Sequence, residues 1–197
     1  MNDASPEHPL TLYFDLVDPL SFLLDRELMA AEQELGVRVL RHGVEISPPP
    51  HPLTAPGEAP WKERWAQAEA GAEELDVQLR KPAIVPWSRK AHELLRHAEQ
   101  EGKADDLRVR IFRAFFEEGS DIGRVDVLVA LAVEAGFDRS GTKAVLDVDR
   151  YDEEVAGRRE AALDAGIRVI PTLLGDAGRL EGFRNRASLS TFLSGSS

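Results

Sequence analysis

The 197-residue chain contains no cysteine. Thiol–disulfide exchange needs a protein thiolate, so disulfide oxidase, reductase and isomerase chemistry run on the chain's own residues is excluded. Cysteine-ligated zinc is excluded by the same absence. Long hydrophobic runs are missing as well. No apolar stretch approaches the roughly 20 residues that a membrane-spanning helix needs. Basic clusters are missing too: Lys+Arg number 24 against 35 Asp+Glu, for a formal net charge of −11. Nucleic acid and anionic membrane surfaces are therefore poor partners. Met1 to Pro9 is polar, with two acids and no Lys or Arg. It does not read as a secretory signal peptide, and a cytoplasmic location is expected. What remains is an acidic chain, 43% hydrophobic, with enough apolar mass for a core. Its length suits one domain carrying an insertion, or two small domains.

The most informative stretch runs from Leu12 to Leu23. Leu10 to Val17 is apolar and aromatic and reads as a buried strand. The chain then turns at Asp18-Pro19 into a helix, with apolar residues at Leu20, Leu23, Leu24, Leu28, Ala31 and Leu35, and Gly36 as its stop. Val37 to Leu40 alternates and reads as a second strand, giving β-α-β within a crossover's length. Ser47 to Pro60 holds six of the twelve prolines and reads as a loop and a boundary. Helical patterns follow over 61–79, 88–101, 105–118, 125–135, 140–146 and 149–165. In the first, Trp61, Trp65, Ala68 and Ala72 share a stripe; in the second, Ala91, Leu94, Leu95 and Ala98 do. Arg168 to Leu174 is strand-like, Gly175-Asp176-Ala177-Gly178 is a hairpin turn, and Arg179 to Phe183 is the return strand. A short helix over 187–193 and a Ser/Gly tail end the chain.

The segment Asp18-Pro19-Leu20-Ser21 resembles the active-site segment of the DsbA-like branch of the thioredoxin superfamily. In redox members that segment is strand, Cys-Pro-x-Cys, helix; in glutathione-using members it is strand, Ser-Pro-Tyr-Ser, helix. Gly166-Ile167-Arg168-Val169-Ile170-Pro171-Thr172 resembles the family's Gly-x-x-Gly-Val-Pro-Thr segment, whose proline is cis. Trp87-Ser88-Arg89-Lys90-Ala91-His92, with Arg113-Ala114-Phe115-Phe116 after it, is similar to the helical domain of the FrnE-like subgroup, although Trp87 replaces the usual Asn. The resemblance runs from about Leu10 to Leu193. It implies an α/β, thioredoxin-like fold with an inserted all-helical domain: 9–46 and 151–195 as the two parts of the thioredoxin-like domain, and 60–150 as the helical insertion.

The resemblance places Asp18 at the nucleophile position and Ser21 at the second cysteine or serine, so these two are the catalytic candidates. Each also has a plain structural reading. Asp is a preferred N-cap and Pro a preferred first helical residue, and a first-turn serine readily bonds its own cap. A carboxylate at position 18 would face a bound thiol and disfavour its thiolate, because like charges raise a pKa. The ligand-binding candidates are Pro19, Ile170, Pro171, Thr172, Asn185 and Trp87. Ile170 would offer its backbone to an extended peptide or to glutathione as an added strand would. Asn185 or Ser188 would hold a glutamyl carboxylate or merely cap the last helix. The tryptophans and Phe112, Phe115 and Phe116 fit either a cleft lining or, as is commoner for such stripes, core. No metal site is expected: His92 and His97 are five apart and do not share a helical face.

The family contains disulfide oxidoreductases, 2-hydroxychromene-2-carboxylate isomerases and kappa-class glutathione transferases. Three readings follow. One is a glutathione-dependent isomerase or transferase, with glutathione as cofactor and a small thiol compound as partner. Another is a catalytically inactive protein that binds an extended peptide or protein partner. The third uses Asp18 as a base on a non-thiol substrate. A homodimer follows from the glutathione-using relatives by analogy.

Overall fold

The structure is a computed structural model that describes residues 9–194. The expectations for residues 1–8 and for the tail beyond Ser194 lie outside the described residues. Strand β1 (Thr11–Phe14) leads through Asp18 into helix α1 (Pro19–Leu35), which returns to β2 (Leu40–Gly43). Helices α2 (Trp61–Glu74), α3 (Arg89–Gln100), α4 (Ala104–Phe116), α5 (Val125–Glu134), α6 (Arg139–Asp147) and α7 (Asp152–Asp164) follow. The hairpin β3 (Thr172–Gly175) and β4 (Gly178–Glu181) and helix α8 (Arg186–Ser194) complete the order. The sheet runs β2-β1-β3-β4, with β1 parallel to β2 and antiparallel to β3. Among the described residues, no helix is long and apolar enough to cross a membrane.

The local signals that build α1 act as the sequence implies. Asp18 is its N-cap, Pro19 opens it, and Gly36 closes it in the left-handed conformation at φ 67°, donating to the Glu32 carbonyl. Leu12 and Phe14 point into the main core with Leu20, Leu23, Leu24 and Leu28, where the expected stripes of α2 and α3 also lie. Phe112, Phe115 and Phe116 are core residues, with Phe22 stacked on Phe116. Tyr13 and Val44 face the opposite side of the sheet and meet Ala162 of α7, Ile167 and Ile170 in a second, small core.

Several boundaries differ from the sequence expectation. The second strand occupies Leu40–Gly43 rather than 37–40, because parallel pairing with β1 starts at Thr11 opposite Leu40. Val37 and Val39 pack from the linker instead. Helix α2 stops at Glu74, five residues before the expected end at Leu79. The third strand begins only at Thr172, so Pro171 precedes the ladder rather than interrupting it.

A buried ionic cluster ties α1, β2 and α4 together. Asp25 accepts from Arg41 Nε at 2.7 Å and from Arg108 Nε at 3.0 Å, and Arg41 also reaches Glu32. Opposite it, β2 ends on a close approach: a Cβ at Gly43 would lie 2.4 Å from Nδ1 of His92. His92 is buried and lies 3.0 Å from Asp15 Oδ1 through its Nε2. Gly43→Ala is therefore expected to destabilise the chain by about 1–3 kcal/mol, the usual cost of overpacking a core. Urea denaturation measures it, and an unchanged midpoint would show that the His92 ring relocates freely.

Candidate functional site

The start of α1 brings Asp18 and Ser21 together, and both are buried. Asp18 Oδ2 accepts from the Ser21 amide at 2.7 Å and from its hydroxyl at 2.6 Å. Oδ1 accepts from Nε of Arg64, in α2, at 2.6 Å. The Ser21 hydroxyl in turn accepts from the Asp15 amide at 3.3 Å. Neither catalytic candidate thus has an uncommitted oxygen: Asp18 is a cap and an ion-pair partner at once, and Ser21 is its donor. Burial pushes the Asp18 carboxyl above the ordinary aspartate value, while Arg64 and Ser21 pull it back down.

Arg64 is the link between the two halves of the expected site. Its Nη2 donates to the carbonyl of Ile170, the residue before Pro171, and the Ile170–Pro171 peptide bond is cis. The backbone acceptor that the resemblance offers to a ligand is therefore held by an arginine of the same chain. Pro171 accepts from the Gly182 amide at 2.8 Å, and Thr172 is buried with its hydroxyl on the Val169 carbonyl at 2.6 Å. Both shape the loop.

A cavity of about 110 Å³ opens against Asp18. Val17, Pro52, Pro60, Trp61, Val85, Pro86 and Trp87 make its apolar wall, and Asp15, Asp18, Arg64 and Ser88 its polar one. Ser88 lines the cavity, and its hydroxyl is buried with no hydrogen-bond partner. Trp87 is 40% exposed at the mouth, its indole N–H donating to the His51 carbonyl at 3.0 Å, which pins the proline-rich loop to the rim. Ile46, Leu53 and Ile84 are also exposed apolar residues of these segments. A second cavity of about 350 Å³ lies on the Ile170 side, and Ile46, Pro60 and Arg64 belong to the walls of both.

Asp18, Pro19 and Ser21 are thus brought together. Ile170 joins them through Arg64, and Trp87 stands across the first cavity. Asn185 is not brought in: it lines neither cavity, and its side chain accepts from the Ser188 amide at 3.2 Å as the cap of α8. Sequence reasoning missed Arg64 and the buried set behind the cavity. There, Asp15 Oδ1 lies 3.0 Å from Nε2 of His92, its Oδ2 accepts from the Ile46 amide at 2.7 Å, and Arg89 holds Glu45 at 2.6 Å. Burial raises the Glu45 carboxyl, against the pull of Arg89. The signal for Arg89 and His92 was the Arg-x-x-His spacing at the start of α3. Arg64 had only its place beside the tryptophan stripe.

The ion pair sets a clear expectation. Arg64→Gln leaves a buried carboxylate without its counter-charge and is expected to cost about 3 kcal/mol, near the low end for a broken buried pair because Arg64 is partly exposed. Asp18 already titrates above its ordinary 3.8. The folded variant then takes up that proton at a higher pH than the unfolded chain, so the loss shrinks as pH falls toward that value. Urea denaturation at neutral and mildly acidic pH measures both effects, and a pH-independent loss would show that Asp18 is already neutral.

Residues 10–191 match the family model described as DSBA-like thioredoxin domain. The chain is 30% identical over 173 residues to YwbO of Bacillus subtilis (strain 168), itself uncharacterised, covering 85% of this chain and 86% of that one. Its fold is similar to a probable DsbA oxidoreductase, SCO1869, from Streptomyces coelicolor, at TM-score 0.81 and 20% identity, over 95% of this chain and 89% of that one. It is also similar to a 2-hydroxychromene-2-carboxylate isomerase at TM-score 0.77 and 19% identity, over 95% and 94% of the two chains. The fold is therefore thioredoxin-like, of the DsbA type, with a four-stranded mixed sheet.

Proposed function

The chain belongs to the family of DSBA-like thioredoxin domains, and on that premise we propose that it is a non-redox member that binds a small ligand in the groove between the start of α1 and the cis-proline loop. The observation that carries this reading is the commitment of Asp18. The carboxylate at the nucleophile position is buried, capped by Ser21 and paired with Arg64, beside a largely apolar cavity. The Ser21 hydroxyl gives its proton to Asp18, so it has none to give to a ligand thiolate. Ser88 adds an unpartnered hydroxyl to the wall, and Trp87 and Trp61 supply the apolar surface. Few polar groups in a mostly apolar concavity is the usual make-up of a small-molecule site. A cytoplasmic location and a homodimer belong to this reading.

A glutathione-dependent isomerase or transferase is the second reading, and Arg64 favours it. The guanidinium neutralises Asp18, which removes the like-charge objection to a thiolate bound nearby. An inactive peptide-binding protein has less support, because Arg64 already occupies the Ile170 carbonyl that an added strand would use.

Calorimetric titration with reduced glutathione, on the natural chain and on Asp18→Ser, separates the readings. The natural chain is expected to give no saturable binding, and Asp18→Ser to gain it as a hydroxyl replaces the carboxylate. Saturable binding by the natural chain would overturn the non-thiol reading in favour of the isomerase or transferase. Silence from both would sink every glutathione role.

A further inference from the structure

Two cavities of the molecule are rich in arginine, and they differ in how that charge is balanced. The cavity of about 200 Å³ beside β2 is lined by Arg38, Arg41, Arg96, Arg108 and Arg158. Four of these five are already paired with carboxylates: Arg41 with Asp25 and Glu32, Arg96 with Glu99 and Glu154, Arg108 with Asp25 and Asp105, Arg158 with Glu99. A ligand anion there would have to displace the chain's own acids.

The cavity of about 350 Å³ on the Ile170 side is different. Its cations are Arg64, Arg159 and Arg168, and its one acid, Glu45, is held by Arg89. Arg159, on α7, has no carboxylate or carbonyl partner among the described residues. Arg168 donates only to the backbone carbonyls of Leu163 and Ile167. The rest of the wall is apolar: Val44, Ile46, Leu163, Ile167, Val169 and Ile170. Arg64 is balanced by Asp18, so Arg159 and Arg168 are the two lining arginines without a carboxylate partner among the described residues, and they give this apolar-walled space a surplus of positive charge in a chain whose net charge is −11. Guanidinium forks match carboxylate and similar oxyanions in shape and charge.

We propose that Arg159 and Arg168 form an anion subsite, and that the ligand of the groove is an amphipathic organic monoanion whose acid group enters this cavity while its apolar body reaches past Arg64 toward Trp61 and Trp87. This rests on the ligand-groove reading above and adds the ligand's charge to it. Arg64 is the shared wall between the two spaces and stays with Asp18.

The probes are two dyes of similar apolar bulk, 8-anilinonaphthalene-1-sulfonate, an anion, and N-phenyl-1-naphthylamine, which is neutral. Both brighten on leaving water, and fluorescence titration of the full chain gives their affinities. The anionic dye is expected to bind more tightly. Arg159→Gln, which breaks no hydrogen bond or ion pair among the described residues, and Arg159→Gln with Arg168→Gln are expected to weaken it by about tenfold or more, the scale of lost charge-assisted hydrogen bonds. The neutral dye is expected to bind all three chains alike. Added salt is expected to shrink the difference between the dyes. Equal binding of the anionic dye by the natural chain and both variants would overturn the anion subsite, as would failure of the natural chain to bind either dye. Arginine-dependent binding of the anionic dye with none of the neutral one would keep the subsite and count against the apolar cavity as the body's seat.

Discussion

The contact between Arg64 and Asp18 governs the arrangement of this molecule's working end. A carboxylate buried at the start of α1 is costly unless its charge is met. Ser21 meets one oxygen from within the first turn, and Arg64 meets the other from α2. That requirement brings α2 against the strand–helix junction, where the indole of Trp61 also donates to the Val17 carbonyl at 3.2 Å. The same guanidinium then reaches the Ile170 carbonyl, so one side chain joins the β-α turn, the helical insertion and the loop before β3. Arg64 belongs to the walls of both cavities, so the same contact borders each of them.

What could be read from the sequence follows the range over which each signal acts. The cap at Asp18, the proline after it, the stop at Gly36 and the stripes of α2 and α3 depend on neighbours within a turn or two, and they are legible. The strand–helix junction and the proline at 171 were legible through family resemblance as well. The start of β2 was not, because Val37 and Val39 alternate as a strand would while the pairing partner that decides the register lies in β1. Nor was Arg64. Its partners are 46 and 106 positions away, and an arginine beside a tryptophan stripe looks the same whether it faces water or a buried acid. Asn185 carried two readings from sequence, and in the structure it caps α8.

The helical insertion is fastened to the sheet by charge as much as by apolar packing. Asp25, Arg41, Glu32 and Arg108 lie between α1, β2 and α4, and Asp15 with His92 joins β1's end to α3. Such buried pairs add little net stability over apolar packing, yet each becomes expensive when one partner is lost. They fix which faces meet. The walls of the cavity beside Asp18 come from four separated parts of the chain, 15–18, 46–54, 60–64 and 85–88.

The arginine that neutralises Asp18 also bears on what the scaffold could become. A thiol introduced by Asp18→Cys would sit at a helix start with a guanidinium close by, conditions that favour the thiolate. Ser21 offers no second sulfur to resolve an oxidised form, and the chain contains none elsewhere. One substitution would thus create a single reactive sulfur that an external thiol, not the chain itself, would have to resolve. Exchange between a protein dithiol and its own disulfide requires two cysteines together, and exposing the Ile170 carbonyl to a partner requires Arg64 to let go as well. Two-cysteine chemistry on this scaffold therefore needs several coordinated changes rather than one substitution.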